Sequence, residues 1–141
     1  MPQVPLFLLA DDNPDDAELT REALKEAEPR VMLEWVRDGQ ECIDYLKSDR
    51  QRPNLILLDL NMPRKDGRQT LLEIKENPDL CDIPVVILTT SEAERDVMES
   101  YRRHANAYMV KPITIDDLID IMKQVSQFWL GNFLRLPHNS R

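Results

Sequence analysis

The sequence predicts an α/β fold in which helices cover both faces of a parallel β-sheet. Three short runs, at residues 6–10, 55–58 and 85–88, consist of apolar residues only. Continuous apolar runs of this length are typical of strands that are buried on both faces of a parallel sheet. Segments whose apolar residues have helical spacing separate these runs, so strands and helices alternate along the chain.

Five strand–helix units can be placed on the chain. Strands are expected at about residues 6–10, 31–36, 55–59, 85–89 and 107–110. Each helix has a candidate N-cap, namely Asn13, Asp38, Asp66, Ser91 and Thr114. The first, second, third and fifth helices are expected to end near Pro29, Lys47, Asn77 and Trp129. The flavodoxin-like strand order 2-1-3-4-5 fits such a doubly wound sheet best.

The composition argues against several classes of function. A chain of 141 residues is long enough for one domain with a proper core. The chain has 18 Lys and Arg residues and 26 Asp and Glu residues, and its net charge of −8 argues against binding to nucleic acid. No stretch approaches the roughly 20 apolar residues of a membrane span. Without an export signal, we expect a cytoplasmic protein in which Cys42 is a buried free thiol, not disulfide-bonded to Cys81.

Acidic residues follow the first and third predicted strands. Asp11 and Asp12 come directly after the first strand, and Asp59 ends the third. These strands are neighbours in the order 2-1-3-4-5, so the three carboxylates should meet at one edge of the sheet. A divalent cation would remove their mutual repulsion, and a ligand set made only of oxygen atoms suits Mg²⁺. For the Asp11–Asp12 pair alone, a solvated acidic loop near a helix N-terminus is the alternative.

Two more side chains are expected at the same edge. Thr89 ends the fourth predicted strand, and Lys111 follows the fifth. A carboxylate such as that of Asp59 can accept a phosphoryl group as an acyl phosphate. Positive charge and hydrogen-bond donors around the transferred phosphoryl group favour that reaction. Lys111 would supply the charge and Thr89 a hydroxyl donor, so the set predicts a site for phosphoryl transfer.

Four segments together resemble the receiver domain of two-component response regulators, in the order and at the spacing of that family. They are residues 10–13 (ADDN), 58–63 (LDLNMP) followed by Asp66 and Gly67, 88–90 (LTT), and 108–112 (YMVKP). The resemblance covers about residues 6–127, and we expect residues 1–127 to form the receiver domain. By this resemblance Asp59 is the phosphoacceptor, and the Mg²⁺ ligands are Asp11, Asp12, Asp59 and the main-chain carbonyl of Asn61.

The resemblance also implies a conformational switch. Thr89 and Tyr108 would be its coupled pair, Lys111 would sense the phosphoryl group, and the Lys111–Pro112 bond would be cis. The output would be a movable face formed by the fourth helix, the fifth strand and the fifth helix. Such a switch needs two conformations that differ little in free energy.

A closer resemblance is to single-domain regulators of cyanobacterial and bacterial phytochromes. It rests on Arg64-Lys65, residues 89–91 (TTS), residues 104–106 (HAN) and residues 128–130 (FWL). The resemblance implies that the phosphoryl donor is a phosphohistidine on a light-sensing histidine kinase. Two positions depart from the family pattern. Thr90 stands where many receivers have a small residue, which puts access to Asp59 in doubt. Residues 104–106 replace the glycine that many receivers have before the fifth strand, which puts the conformation of that loop in doubt.

The C-terminal segment, residues 128–141, predicts a homodimer contact. Its apolar residues exceed what the fifth helix needs for packing on the sheet, and exposed apolar patches often mark interfaces. The candidate contact residues are Phe128, Trp129, Leu130, Phe133 and Leu134. The alternative is a tail that folds back on its own domain.

Two other functions use similar features. A phosphohydrolase of the haloacid-dehalogenase type also has a strand-end aspartate and Mg²⁺, but it needs a second acid where this chain has Asn61. An FMN-binding carrier shares the flavodoxin-like fold, but Asp11 and Asp12 would repel the phosphate of the flavin after the first strand. The receiver domain, a signalling phosphoacceptor and not an enzyme acting on other substrates, is the favoured interpretation.

Overall fold

A computed structural model describes residues 4–60, 62–89, 107–112 and 114–135, with the side chains of residues 89, 108 and 130–135 left out of the description. The strands are β1 (Leu6–Ala10), β2 (Met32–Val36), β3 (Leu55–Asp59), β4 (Val85–Thr89) and β5 (Ala107–Val110). The helices within these ranges are α1 (Pro14–Ala27), α2 (Gly39–Lys47), α3 (Gly67–Glu76) and α4 (Ile115–Arg135). The helix predicted from Ser91 lies outside the described residues.

All five strands run parallel in the order β2-β1-β3-β4-β5, so the predicted fold class is confirmed. In β1, Ala10 pairs with Leu58 of β3, and in β3, Asp59 pairs with Leu88 of β4. The carboxyl ends of these three strands are therefore level. Side chains that follow the strands emerge at one edge, as expected for a sheet of this topology.

The sheet separates two apolar cores because its strands alternate their side chains between faces. Leu6, Leu8 and Ala10 of β1 belong to the core under α2 and α3. Phe7 and Leu9 belong to the core under α1 and α4. The residues of β1 and β3 are almost completely inaccessible to solvent. Burial on both faces fixes the register of these strands, because a one-residue slip would exchange the two cores.

The predicted helix starts are confirmed at the four described helices. The Asn13 side chain accepts hydrogen bonds from the main-chain N–H groups of Asp15 and Asp16, and Pro14 is the first residue of α1. Asp38 caps α2, and Asp66 forms a reciprocal capping box with Gln69 at α3. At α4 the Thr114 hydroxyl accepts a hydrogen bond from the main-chain N–H of Asp117. These caps satisfy N–H groups that have no partner inside the helix.

The end of α4 differs from the prediction. The helix ends at Arg135 and not near Trp129. Residues 128–135 contain no proline, and the one glycine among them, Gly131, lowers helix stability without ending the helix. Pro137 disfavours helical backbone in the residue before it. Leu118, Met122 and Val125 are buried against the sheet, whereas 76% of Phe128 is exposed.

Both cysteines are free, and Cys42 is buried as predicted. Burial raises the pKa of the Cys42 thiol to about 12, so this group is a neutral core residue. Among the helices that the structure describes, none is long and apolar enough to cross a membrane.

Candidate functional site

Three carboxylates meet at the carboxyl edge of the sheet. Asp11, Asp12 and Asp59 each place a carboxylate oxygen within 4.8 Å of the others. The adjacency of β1 and β3 brings them together, as the strand order predicts. Asp11 and Asp59 are buried and Asp12 is exposed, so the cluster opens to solvent on one side. An oxygen-only cluster of this size suits a hard divalent cation.

Asp11 is fixed from both its main chain and its side chain. Its Oδ1 accepts a hydrogen bond of 3.0 Å from the N–H of Asn13. Its main-chain oxygen accepts a 2.7 Å bond from the indole Nε1 of Trp35, and its N–H donates to Val36. The contact from Trp35 ties the acidic turn to the edge strand β2. Asp11 is therefore held in place without any ion.

Lys111 reaches the same cluster from the end of β5. Its Nζ lies 2.9 Å from Oδ2 of Asp11 and 3.4 Å from Oδ2 of Asp59. Burial lowers the pKa of Lys111, but the neighbouring carboxylates, Asp59 above all, outweigh burial and raise it to about 12. Lys111 is therefore a permanent positive charge beside Asp59 at neutral pH.

Asp16 is a residue of this site that the sequence analysis missed. Its Oδ2 lies 3.3 Å from Nζ of Lys111. Helical spacing contained a signal, because Asp16 precedes the buried Thr20 by four residues and so lies on the same side of α1. The prediction considered only acids at strand ends, and Asp16 belongs to the helix.

The loop after β3 is held by the turn before α2. The guanidinium of Arg64 contacts Oδ2 of Asp38 through Nε at 2.8 Å and through a terminal nitrogen at 2.7 Å. The N–H of Gly39 also donates to the main-chain oxygen of Lys65. Burial raises the pKa of Asp38, but hydrogen bonds from the N–H of Glu41 and from Arg64 hold it below its ordinary value. The sequence analysis used Arg64 only as part of a resemblance and missed this ion pair.

Two backbone features shape the same loop. Arg64 has a φ of 65°, in the left-handed region that non-glycine residues rarely adopt. At Gly67 an added Cβ would lie 2.8 Å from Cα of Leu60 and closer still to the main-chain oxygen of Asp59. The helix α3 therefore begins in direct contact with the backbone that carries Asp59, and a larger residue would push that backbone away.

The peptide bond between Lys111 and Pro112 is trans, so the expected cis bond is wrong. The trans form is the lower-energy isomer of such bonds by about 0.5–1 kcal/mol. Lys111 reaches Asp11 and Asp59 from the trans conformation. The position of its ammonium group therefore does not require the rarer isomer.

The remaining predicted site residues are placed only in part. The main chain of Thr89 pairs with Val110, and that of Tyr108 pairs with Ile87. Both residues thus lie on neighbouring strands, β4 and β5, as predicted, while their side chains are not described. Asn61 and Thr90 lie outside the described residues.

The model of the response regulator receiver domain matches residues 7–123 of this chain. The chain belongs to this family. The match runs from Phe7 in β1 through β5 into the first nine residues of α4, and it includes every residue of the acidic cluster and Lys111. The receiver is a signalling domain, so the interpretations as a phosphohydrolase and as a flavin carrier lose their support.

Two regulatory proteins are similar to this chain over most of its length. The response regulator Rcp1 of Synechocystis sp. is 45% identical over 130 residues, which cover 89% of this chain and 88% of that protein. The probable methanogenesis regulatory protein FilR2 of Methanothrix harundinacea is 37% identical and covers 89% of this chain and 84% of its own length.

Solved structures show the same similarity. The phosphorylated cyanobacterial phytochrome response regulator RcpA has a TM-score of 0.82 and 41% identity, with 92% of this chain and 96% of that chain covered. The bacteriophytochrome response regulator AtBRR has a TM-score of 0.77 and 36% identity, with 91% and 96% covered. The predicted resemblance to phytochrome regulators is thereby confirmed.

The left-handed backbone at Arg64 makes a prediction about stability. Arg64→Ala and Arg64→Gly both remove the ion pair with Asp38, but only alanine keeps a Cβ at positive φ. Because that conformation costs a non-glycine residue roughly 1–2 kcal/mol, we expect Arg64→Gly to be more stable than Arg64→Ala by about 1 kcal/mol. Urea unfolding of the two variants measures the difference. Equal stabilities would show that the strain is relieved elsewhere in the loop.

Proposed function

We propose that Asp59 accepts a phosphoryl group from a phosphohistidine of a sensor histidine kinase. The observation that carries the proposal is the contact of Asp59 with the charged Lys111 within a cluster of carboxylates at the sheet edge. If the ion pair of Lys111 with Asp59 only stabilised the fold, the additional carboxylate of Asp12 beside it would not be needed. Family membership supports the same role, because this is the site that the receiver motifs share.

The transfer forms one bond and breaks one. A carboxylate oxygen of Asp59 attacks phosphorus, the phosphorus–nitrogen bond to the imidazole breaks, and an acyl phosphate forms. The electron pair of the broken bond returns to the imidazole ring. Charge spreads over the three equatorial oxygens in the transition state. Lys111 faces these oxygens from β5, and a hydroxyl donor from Thr89 completes the surroundings.

The acidic cluster is suited to Mg²⁺. We assign Asp11, Asp12, Asp59 and the main-chain carbonyl of Asn61 as its ligands, with water completing the coordination. When bound, Mg²⁺ supplies positive charge to the phosphoryl oxygens and offsets the repulsion between the carboxylates. The similar Rcp1 structure is a form with Mn²⁺ bound, and this supports a divalent metal site here.

The kinase is proposed to be a phytochrome. Rcp1, RcpA and AtBRR are similar to this chain over about nine tenths of its length, and RcpA and AtBRR are phytochrome response regulators. We place the reaction in the cytoplasm, in keeping with two cysteines that are both free. The net charge of −8 argues against direct contact with nucleic acid.

Phosphorylation of Asp59 should require the carboxylate and the metal. With acetyl phosphate as donor, the parent chain should gain one phosphoryl group in Mg²⁺ that is labile in acid and in base, as expected of an acyl phosphate, and excess EDTA should abolish the labelling. Asp59→Asn should remain unlabelled, as should the parent in the absence of donor. Intact-mass spectrometry measures the label. Labelling of Asp59→Asn at the parent rate would overturn the assignment.

Thr89 and Tyr108 are proposed to transmit the phosphoryl state. Asp59 pairs with Leu88, the residue before Thr89 at the end of β4, and Tyr108 lies on the neighbouring strand β5. A phosphoryl group on Asp59 would attract the Thr89 hydroxyl, and Tyr108 would then move into the space that the hydroxyl leaves. The face formed by the helix after β4, by β5 and by α4 would change as a result.

Removing the Thr89 hydroxyl should separate phosphorylation from this response. Thr89→Ala should still be labelled on Asp59, because the nucleophile and the metal ligands remain. Amide resonances of β5 and α4 should then shift much less on phosphorylation than they do in the parent. Thr89→Ser, which keeps a hydroxyl, is the matched control. Parent-like shifts in the alanine variant would exclude Thr89 as the coupling residue.

The end of α4 is proposed to form a homodimer contact. Phe128 is exposed, and its ring packs edge-on against Trp129 with 4.7 Å between centroids. Both residues border a groove lined by Met109 and Val125, so they continue the apolar surface of β5. Aromatic side chains that are exposed in one chain are typical of the centre of an interface. Leu130, Phe133 and Leu134 are the further residues assigned to this contact.

Replacing Phe128 should weaken the dimer without unfolding the chain, because this side chain is exposed. We expect Phe128→Ser to raise the dimer dissociation constant by at least about tenfold, as for a central aromatic contact. The neighbouring exposed residue provides a matched control in Gln127→Ser. Sedimentation velocity at several concentrations, with and without phosphorylation, measures the association. A parent chain that stays monomeric at tens of micromolar would contradict the dimer.

A further inference from the structure

Asp16 contacts Lys111 but lies outside the proposed metal cluster. Its Oδ2 is 3.3 Å from Nζ of Lys111, compared with 2.9 Å for Asp11 and 3.4 Å for Asp59. An ammonium group has three hydrogens to donate. The three carboxylates therefore match its full donor capacity, and a new partner for Lys111 must displace one of them.

The three partners of Lys111 differ in their access to water. The side chains of Asp11 and Asp59 are 0% and 6% exposed, whereas that of Asp16 is 41% exposed. A buried carboxylate that loses its cation is left uncompensated at high cost. An exposed carboxylate exchanges its cation for water at little cost. Asp16 is therefore the partner that Lys111 can release most easily.

The backbone of α1 holds Asp16 in position. Its N–H donates to the capping side chain of Asn13 at 3.1 Å, and its main-chain oxygen accepts a 2.9 Å bond from the Thr20 hydroxyl. A carboxylate in the first turn is also favoured by the helix dipole. Asp16 is thus a fixed acceptor that stays at the rim of the site when Lys111 moves.

We propose that Asp16 is a positioning residue that competes with the phosphoryl group for the ammonium of Lys111. This inference rests on the proposed phosphorylation of Asp59. In the unphosphorylated chain Asp16 draws Lys111 toward α1. When the phosphoryl group arrives at Asp59, Lys111 exchanges Asp16 for a phosphoryl oxygen. The ion pair with Asp16 therefore opposes phosphorylation and sets part of its barrier.

The competition predicts that removing the Asp16 carboxylate accelerates phosphorylation. An exposed ion pair of this kind corresponds to about a two- to fivefold change in rate. We therefore expect Asp16→Asn to be labelled about two- to fivefold faster than the parent in saturating Mg²⁺. Asp16→Glu keeps a carboxylate that can pair with Lys111, and its rate should stay nearer to that of the parent.

Asp15 offers a matched control in the same turn of α1. Asp15→Asn makes the same change of charge, and among the described side chains Lys111 contacts Asp11, Asp16 and Asp59 but not Asp15. Two donors, acetyl phosphate and the less negatively charged phosphoramidate, should be compared at equal ionic strength. If Asp16 competes for Lys111, Asp16→Asn should raise the labelling rate with both donors alike. If Asp16 only repels the donor, the rate should rise more with acetyl phosphate, and Asp15→Asn should show a similar rise.

The outcomes separate the two proposals. Equal rates for Asp16→Asn and Asp15→Asn, or an acceleration confined to acetyl phosphate, would overturn the role of Asp16 and leave the phosphorylation of Asp59 intact. A parent chain that takes no label would remove the proposed function, and the role of Asp16 with it. If Asp16→Asn does not fold, Asp16→Ser removes the same carboxylate and must show the same acceleration.

Discussion

The ammonium group of Lys111 joins parts of the chain that are far apart in sequence. It contacts Asp11 at the end of β1, Asp16 in α1 and Asp59 at the end of β3. Without this cation, the buried carboxylates of Asp11 and Asp59 would lie side by side without the positive charge of Lys111, and uncompensated buried charge is strongly unfavourable. The position of Lys111 thus makes the acidic edge compatible with a folded sheet, and it links β5 to the site.

The packing of the two apolar cores fixes the positions of the strands that carry Asp11 and Asp59. Because β1 and β3 are buried on both faces, neither strand can slide by a residue without moving apolar side chains into the wrong layer. The packing of their strands therefore places Asp11 and Asp59 at the sheet edge, and their hydrogen bonds and ion pairs then orient the carboxylates. Gly67 adds a second constraint, since α3 begins against the backbone of Asp59 and Leu60.

The sequence was sufficient for features that depend on local patterns or on topology. Apolar runs predicted the strands, capping residues predicted the helix starts, and the strand order predicted that Asp11, Asp12 and Asp59 converge. Contacts between elements were not predictable in this way. The ion pair of Asp16 with Lys111 and that of Arg64 with Asp38 depend on how α1 and two loops approach the sheet. Helical spacing shows only which side of α1 carries Asp16, not that Lys111 reaches it.

The errors at the C-terminal end have a similar origin. The end of α4 was predicted from where the packing surface on the sheet ends, but the helix continues past that surface, through Gly131, to Arg135. The bond before Pro112 was assigned from resemblance to a family. The Lys111 side chain is long enough to reach the cluster from the trans form, so geometry at this position did not decide the isomer.

The charges at the site explain why phosphorylation should affect a distant face. The described side chains place four carboxylates, those of Asp11, Asp12, Asp16 and Asp59, near the single ammonium of Lys111, so negative charge is in excess before any phosphoryl group arrives. The proposed divalent cation would offset part of that excess, and the proposed phosphoryl group would restore it. The remaining adjustment would fall on Lys111, which directly follows β5. Because β5 pairs with β4 and shares a core with α4, we expect a change in the charge at Asp59 to alter the surface formed by β5 and by the end of α4 at Phe128 and Trp129.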